Sequence, residues 1–434
     1  MQITVNLKEQ LGTIKRMNAT GQAPMGGGMG YNSFNYFSLL SDIGVPYVRL
    51  HDVGGLFAGN CYVDIPNIFR NFDADENDER NYDFAFTDAY IAALVKNGLK
   101  PYYRLGVTIE NDAEIQSFRI DPPKDYEKWA RICEHIIAHY NHGWANGFYY
   151  DIEYWEIWNE PDDGLRISQM WNGTPEDYYR LYDVASKHLK EKFPYIKIGG
   201  YAAIGFYAVS KQKKGLEPTE REMYFMEFFH GFMKYIKEHH SPIDFFSWHC
   251  YSNPESLLLQ ANYVHEQLLA YGLENVESHL NEWNPPSRKQ RVSAFHSAEV
   301  SAILLGGQNA PVDMLMIYDA RLMQGTYNAF FAPTIQGVEP AHAYYAFAAF
   351  SVLRKLGKQV ALSCDTDGIY AVCASDGKRH AMMISNVSGE SHPLNIEGAD
   401  LTNARWSVLD DRRLLSWSSP CNTIDNNMVL LIEF

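Results

Sequence analysis

Two glutamates in this chain stand where paired carboxyl chemistry could be done. Glu160 closes the run Tyr154-Trp155-Glu156-Ile157-Trp158-Asn159-Glu160-Pro161, an apolar strand running into an Asn-Glu-Pro corner. Pro161 has no backbone N–H with which to prolong a ladder, so the carboxylate is left at a strand end. Glu282 lies in His279-Leu280-Asn281-Glu282-Trp283-Asn284, a second strand-like stretch. Cleaving a glycosidic bond takes two such carboxyls, one protonated near neutral pH and one ionised. Trp155 and Trp158 around Glu160 predict a dry wall, which lifts a carboxyl's pKa and suits an acid. Hydrogen-bond donors around Glu282, from Asn281, Asn284 and a neighbouring strand carrying His249 and Tyr251, would keep it ionised and suit a nucleophile.

The elements that must position these groups follow a rhythm. Residues 45–50, 100–105, 152–159, 196–200, 244–251, 277–282 and 313–318 read as short strands. Helical patterns over 36–43, 84–96, 125–142, 175–192, 221–239, 257–271, 293–306 and 340–356 alternate with them. Thr174 with Pro175 marks a helix start, and Asn97-Gly98 and Gly272 mark stops. Alternating strands and long helices mean β/α units and a parallel sheet. With one early strand added, eight units over roughly 340 residues predict an α/β fold, a (β/α)8 TIM barrel spanning residues 10–356. After Gly357 the pattern changes to short strands with Asp-Gly turns at 367–368 and 376–377, which predicts an all-β sandwich. Residues 2–7 alternate polar and apolar and are expected to join it, giving an accessory domain of residues 1–9 plus 357–434. Residues 201–221 read as a long polar loop. Gly26-Gly27-Gly28 reads as a loop over a barrel end, without the Lys-Ser/Thr or helix-opening glycine pattern of a phosphate cradle.

In such a barrel the active site lies at the C-terminal ends of the strands. The residues there are His51 and Asp52, residues 106–110, Asn159 and Glu160, residues 199–201, His249 and Tyr251, Glu282 to Asn284, and Tyr318, Asp319 and Arg321. Glu156 shares strand parity with Glu160 and would enter the barrel, where Arg49 or Arg104 could neutralise it as a structural charge. Asp151 and Glu153 fall at the start of that strand, away from chemistry. His51 and His249 suit either substrate contact or a satisfied interior. Trp283 suits a sugar-stacking platform or the packing of a barrel wall. Lys211, Lys213 and Lys214 read as a solvated cluster.

Composition excludes several classes. The formal net charge of −16 argues against binding nucleic acid or an anionic membrane surface. The six cysteines are scattered, with no C-x-x-C spacing, so neither a zinc site nor a disulfide framework is expected. No metal and no cofactor is expected, since His51, Asp52 and His249 match no compact ligand spacing. No apolar run is long enough to span a membrane. The first residues lack a basic n-region, which favours a cytoplasmic location.

The motifs also carry a resemblance. Trp155-Glu156-Ile157-Trp158-Asn159-Glu160-Pro161 resembles the acid/base motif on the fourth strand of clan A glycoside hydrolases, and Leu280-Asn281-Glu282-Trp283-Asn284 their seventh-strand nucleophile. Tyr47-Val48-Arg49-Leu50-His51-Asp52, Lys197-Ile198-Gly199-Gly200 and Asp244-Phe245-Phe246-Ser247-Trp248-His249-Cys250-Tyr251 are similar to segments of glycoside hydrolase family 39, the β-xylosidase and α-L-iduronidase family. The likeness covers roughly residues 10–350. It implies a retaining double displacement, with Glu160 as acid/base and Glu282 as nucleophile. It also implies Asn159 on the sugar 2-hydroxyl, His51 in the glycone site and Tyr251 against the nucleophile; Asp52, His249, Trp283, Tyr318 and Asp319, by their places at strand ends, complete the expected substrate-binding residues. The expected substrate is an oligosaccharide or glycoside, cut by an exo-acting, β-xylosidase-like enzyme that could be a homo-oligomer. The rival readings are an α-L-arabinofuranosidase or other clan A glycosidase, a non-catalytic carbohydrate-binding barrel, and a metal-dependent sugar isomerase. Two places depart from the family pattern. The third strand ends in Arg104-Leu105-Gly106, and the eighth carries Tyr318-Asp319-Ala320-Arg321 without a Trp. Both shape the sugar pocket.

Overall fold

A computed structural model describes residues 1–24, 36–53, 62–108, 120–165, 168–322, 327–334 and 337–434. The Gly26-Gly27-Gly28 loop, Ile109 and Glu110 lie outside these residues.

Eight parallel strands close into a barrel: β2 (Arg16–Gly21), β3 (Tyr47–Leu50), β4 (Lys100–Leu105), β5 (Tyr154–Ile157), β6 (Lys197–Ala203), β7 (Phe245–Cys250), β8 (Glu277–Trp283) and β9 (Met314–Ile317). Helices fill the crossovers: α1 (Phe37–Asp42), α2 (Ile65–Ile68), α3 (Ala85–Lys96), α4 (Tyr126–His142), α5 (Pro175–Lys192), α6 (Tyr207–Lys213), α7 (Glu220–His239), α8 (Pro254–Tyr271), α9 (Ala294–Asn309) and α10 (His342–Leu356). The long helices start where side chains satisfy their free N–H groups. Thr174 with Asp177 and Thr219 with Glu222 form reciprocal capping boxes at α5 and α7. The segment expected to be a loop, 201–221, is corrected: residues 201–203 complete β6, and Tyr207–Lys213 form α6. Lys211 is not merely solvated, since its Nζ meets Glu222 Oε2 at 2.8 Å and ties α6 to the start of α7.

The barrel interior is layered by the two-residue period of its strands. Ala19, Tyr47, Tyr102, Tyr154, Phe245, Met314 and Met316 pack into one apolar layer. One step nearer the C-terminal mouth, the same parity delivers Arg49, Arg104 and Glu156, all fully buried. Below the apolar layer a polar plug closes the other mouth. Tyr154 Oη donates to Glu277 Oε2 at 2.8 Å and accepts from Arg16 Nη1 at 2.9 Å, and His279 Nε2 lies 2.9 Å from Glu277. Gly199 is required by space, because a Cβ there would meet the Phe245 carbonyl oxygen at 2.1 Å.

β1 (Gln2–Thr13) belongs to a separate all-β region. β10 (Phe331–Thr334) and β11 (Gly337–Pro340) form a small ribbon before α10. The C-terminal strands are β12 (Lys358–Cys364), β13 (Ile369–Ser375), β14 (His380–Asn386), β15 (His392–Pro393), β16 (Asn395–Glu397), β17 (Arg405–Leu409), β18 (Ser416–Ser418), β19 (Thr423–Ile424) and β20 (Val429–Glu433). They form one eight-stranded sheet, ordered β16-β1-β12-β13-β14-β20-β17-β18, with β15 and β19 as a separate pair. One face packs Val372, Ala374, Ala381, Met383, Val429 and Leu431 into the barrel's apolar core, and Ser385 Oγ donates to the Ala298 carbonyl of α9 at 2.7 Å. The other face builds a second core from Ile3, Val5, Met382, Ile384, Leu430 and Ile432. Cys364 and Cys373 are free thiols. Among the described residues no helix is long and apolar enough to cross a membrane.

Candidate active site

Register places the polar residues of five strand ends around one point. Arg49, the penultimate residue of β3, reaches across the barrel mouth and is its organising group. Its Nε donates to Glu156 Oε2 at 2.7 Å, Nη1 to Glu282 Oε1 at 2.6 Å and Nη2 to Asn159 Oδ1 at 2.6 Å. Burial alone would weaken the guanidinium's hold on its proton, but Glu156 and Glu282 more than offset this and raise its pKa. Glu156 Oε1 accepts from Asn281 Nδ2 at 2.5 Å, so the buried carboxylate is satisfied at both oxygens. Arg49, not Arg104, is therefore the partner of Glu156. Arg104 donates instead to Asp64 Oδ1 at 2.7 Å.

Glu282 is held from two sides, by Arg49 on Oε1 and by Tyr251 Oη donating to Oε2 at 2.8 Å. Burial raises its pKa, and the Arg49 cation and the Tyr251 hydrogen bond oppose the rise. Among the described residues Glu160 has no lysine or arginine in direct contact; its near partner is His249, whose Nδ1 lies 2.6 Å from Oε1. Burial, then Asp163, pushes the Glu160 pKa up to about 8, with Arg49 and Arg221 opposing. Burial likewise lowers His249 to about 4. At neutral pH both are uncharged, so their contact is a neutral hydrogen bond rather than an ion pair. A ligand oxygen from each glutamate and a nitrogen of His249 all lie within 4.8 Å of one another.

The same three groups are the one cluster among the described residues with the spacing of metal ligands. Their chemistry favours protons instead: each Glu282 oxygen already accepts a donor, and the Arg49 cation sits 2.6 Å from one of them. The backbone is strained where the acid is presented. Trp158 and Glu160 have φ of 74° and 45°, outside the range bulky side chains prefer, and Asp52 has φ 54°.

Residues 32–285 match the sequence profile of Glycosyl hydrolases family 39. The chain belongs to that family. A curated relative, a beta-xylosidase of Geobacillus stearothermophilus, is 22% identical over 296 residues, which cover 61% of this chain and 52% of the relative. The match thus spans about half the length of that protein. Among solved structures, a glucosidase from Croceicoccus marinus superposes with a TM-score of 0.79 at 19% identity, covering 100% of this chain and 98% of that one. A monomeric beta-xylosidase from Caulobacter crescentus gives 0.68 at 17% identity, with 100% and 99% covered. At such identities the likeness concerns the fold.

Against this family background, the expected site residues fall into three groups. Glu160, Glu282, Asn159, His249 and Tyr251 converge as described. His51, Asp52, Tyr318 and Asp319 gather on the Arg49 side of Glu282. There His51 Nε2 is 3.9 Å from Glu282 and 3.2 Å from Asp52 Oδ1, Tyr318 Oη donates to Asp52 Oδ2, and Arg321 pairs with Asp319 at 2.7 Å. Burial and then Arg104 and Arg49 hold His51 uncharged at neutral pH. Trp283 stands apart: it is fully buried in the barrel wall, with no ring face open to a sugar. The dry wall beside Glu160 is also not the one expected. Trp155 stacks on Tyr103 at 4.9 Å and Trp158 meets Trp171 at 5.0 Å, both outside the barrel. A cavity of about 470 Å³ opens beside Glu160 instead, walled by Asp163, Tyr207, Arg221, Phe225, Tyr251 and Tyr327. Asp163, Tyr207 and Arg221 belong to this wall although no sequence motif announces them, the last two lying within the stretch expected to be a loop. Asp163 carried one usable signal, a third acid within four residues of Glu160.

Proposed function

We propose that this protein is a retaining, exo-acting, β-xylosidase-like glycosidase. The observation that carries the proposal is that an oxygen of Glu160 and one of Glu282 lie within 4.8 Å of each other, a close pairing of the kind that suits double displacement, whereas widely separated carboxyls leave room for an attacking water. Glu282, oriented by Arg49 and Tyr251, attacks the anomeric carbon while Glu160 gives its proton to the departing oxygen. Glu160, now ionised, then takes a proton from water, and the water oxygen displaces Glu282 to release the sugar. Asn159 is set for the glycone, since Arg49 fixes its Oδ1 and leaves Nδ2 to meet a hydroxyl. His51, Asp52, Tyr318 and Asp319 would hold the rest of that sugar. Their burial at 1–4% exposure, against the cavity open beside Glu160, supports a closed glycone side and an open leaving-group side.

The test is a panel of nitrophenyl glycosides (β-xyloside, α-L-arabinofuranoside, α-L-arabinopyranoside, β-glucoside, β-galactoside), with the first-formed anomer of the best substrate read by proton NMR. Retention on the β-xyloside is the expected result. An inverted product would refute double displacement. A preference for the arabinofuranoside would replace the sugar assignment, and binding without cleavage would favour a non-catalytic barrel.

A further inference from the structure

Glu160 sits at the head of a tight turn. The Asp163 backbone N–H donates to the Glu160 carbonyl at 3.0 Å, the Glu160 N–H donates to Ala202 of β6 at 3.1 Å, and Asp162 accepts from the Ile204 N–H at 3.2 Å. This pins Asp163 beside the acid, on the wall of the leaving-group cavity. Its carboxylate is not left to solvent: Arg221 Nη2, from the first turn of α7, donates to Asp163 Oδ1 at 2.5 Å. Arg221 is itself placed, with its guanidinium carbon 4.9 Å from the centre of the Phe225 ring and its turn fixed by the Thr219–Glu222 capping box. The side chain of Asp163 is 11% exposed and that of Arg221 52%. The anion therefore acts from a drier place than the cation, and a low local dielectric strengthens its influence on its neighbour.

We propose that Asp163 and Arg221 are positioning residues for Glu160, a negative charge held in the turn behind the acid and trimmed by a cation on the leaving-group wall. The inference rests on Glu160 being the acid/base. Asp163 disfavours a second negative charge next to it, so the proton stays on Glu160 for the departing oxygen. Arg221 limits the effect, so that Glu160 can still ionise to activate water in the second step. Among the described residues, the other charged or titratable groups facing Glu160 are Arg49 from β3, His249 from β7 with Tyr251 just beyond it, Glu282 from β8, Tyr207 from α6, Asp162 in its own turn and Glu222 from α7. Neither substitution removes any of these groups. When a leaving group fills the cavity and displaces water, both charges act more strongly. The device then works best with substrate bound.

The two members of the pair predict opposite shifts, which a general loosening of the turn would not give. Asp163→Asn should move the basic limb of kcat/KM to lower pH, and Arg221→Gln should move it to higher pH. Asp163→Glu should restore the wild-type limb. The independent readout is a carbon-13 NMR titration of the full-length enzyme labelled at glutamate side-chain carboxyls, with the Glu160 signal assigned by its loss in Glu160→Gln. That titration must shift in the same two directions even on a protein that cleaves none of the panel glycosides. Superimposable titrations, or shifts of one sign in both variants, would overturn the proposal whether or not the function stands.

Discussion

Glu160→Gln should harm catalysis and improve stability, and both effects follow from one proton. The folded protein keeps that proton to about pH 8, whereas an unburied glutamate releases it near 4.5. Below pH 4.5 both folded and unfolded chains are protonated, and the residue costs nothing. Between 4.5 and about 8 the unfolded chain ionises freely while the folded one does not, so stability falls by about 1.4 kcal/mol per pH unit. At pH 7 the wild type thus carries a penalty of about 3 kcal/mol at this position. Glutamine has nearly the same shape and no charge to bury. It should raise the midpoint of urea unfolding at pH 7, and the gain should vanish below pH 4.5. Equal destabilisation at pH 4 and pH 7 would refute the burial argument.

The kinetic half of the same substitution turns on the leaving group. An amide cannot protonate a departing alkoxide, and general acid catalysis contributes about 10²–10⁴-fold. A xyloside with a poor leaving group should lose that factor in kcat/KM, about 3–5 kcal/mol of transition-state stabilisation. A dinitrophenyl glycoside, whose leaving group needs no proton, should lose little in its first step and accumulate the glycosyl-enzyme. Equal losses on both substrates would remove Glu160 from the acid role.

Three further outcomes are expected. Arg49→Met leaves Glu156 and Glu282 buried without their cation and should destabilise the fold by about 3–5 kcal/mol in denaturant unfolding. Tyr251→Phe removes a hydrogen bond to a charged oxygen and should lower kcat/KM by about 10–100-fold with the circular dichroism spectrum unchanged. Glu277, whose pKa the hydrogen bonds from His279, Lys197 and Tyr154 hold well below 4.5 despite burial, contributes stability that is present above 4.5 and lost as pH falls below it. The melting-temperature gap between wild type and Glu277→Gln should therefore be wide at pH 7 and narrow below pH 4.

What the sequence disclosed and what it hid divide along physical lines. Strand–helix alternation is a local signal, so the barrel and the strand-end places of Glu160 and Glu282 were legible. The partner of Glu156 was narrowed to Arg49 or Arg104 by parity, but the choice needed the register of β3, β4 and β5, which no local pattern encodes. Trp155 and Trp158 do not wall Glu160, because nearness in sequence is not nearness on one face of a strand. Trp155 falls outward on the strand's own parity, and the left-handed turn at Trp158 breaks that parity before Glu160 is reached. α6 escaped notice because it is seven residues long and buries only Ala208 and Ser210, too little to print an apolar stripe.

The two carboxyls gain different characters from neighbours that differ in charge more than in burial. Both lie in places dry enough to raise a carboxyl's pKa. Glu282 meets a guanidinium and a phenol, which favour its anion. Glu160 meets an uncharged imidazole and, through the turn, the charge of Asp163, which favours its acid. Exchange those surroundings and the roles would exchange with them, since nothing in either side chain distinguishes a nucleophile from a proton donor. The distinction is held by Arg49 with Tyr251 on one side and by the Asp163–Arg221 balance on the other. Arg49 also spans Glu156 and Asn159, so the group that favours the Glu282 anion fixes the Asn159 amide as well. A substitution there should therefore disturb charge and substrate geometry together, whereas one at Asp163 or Arg221 should move the pH dependence and leave glycone binding in place.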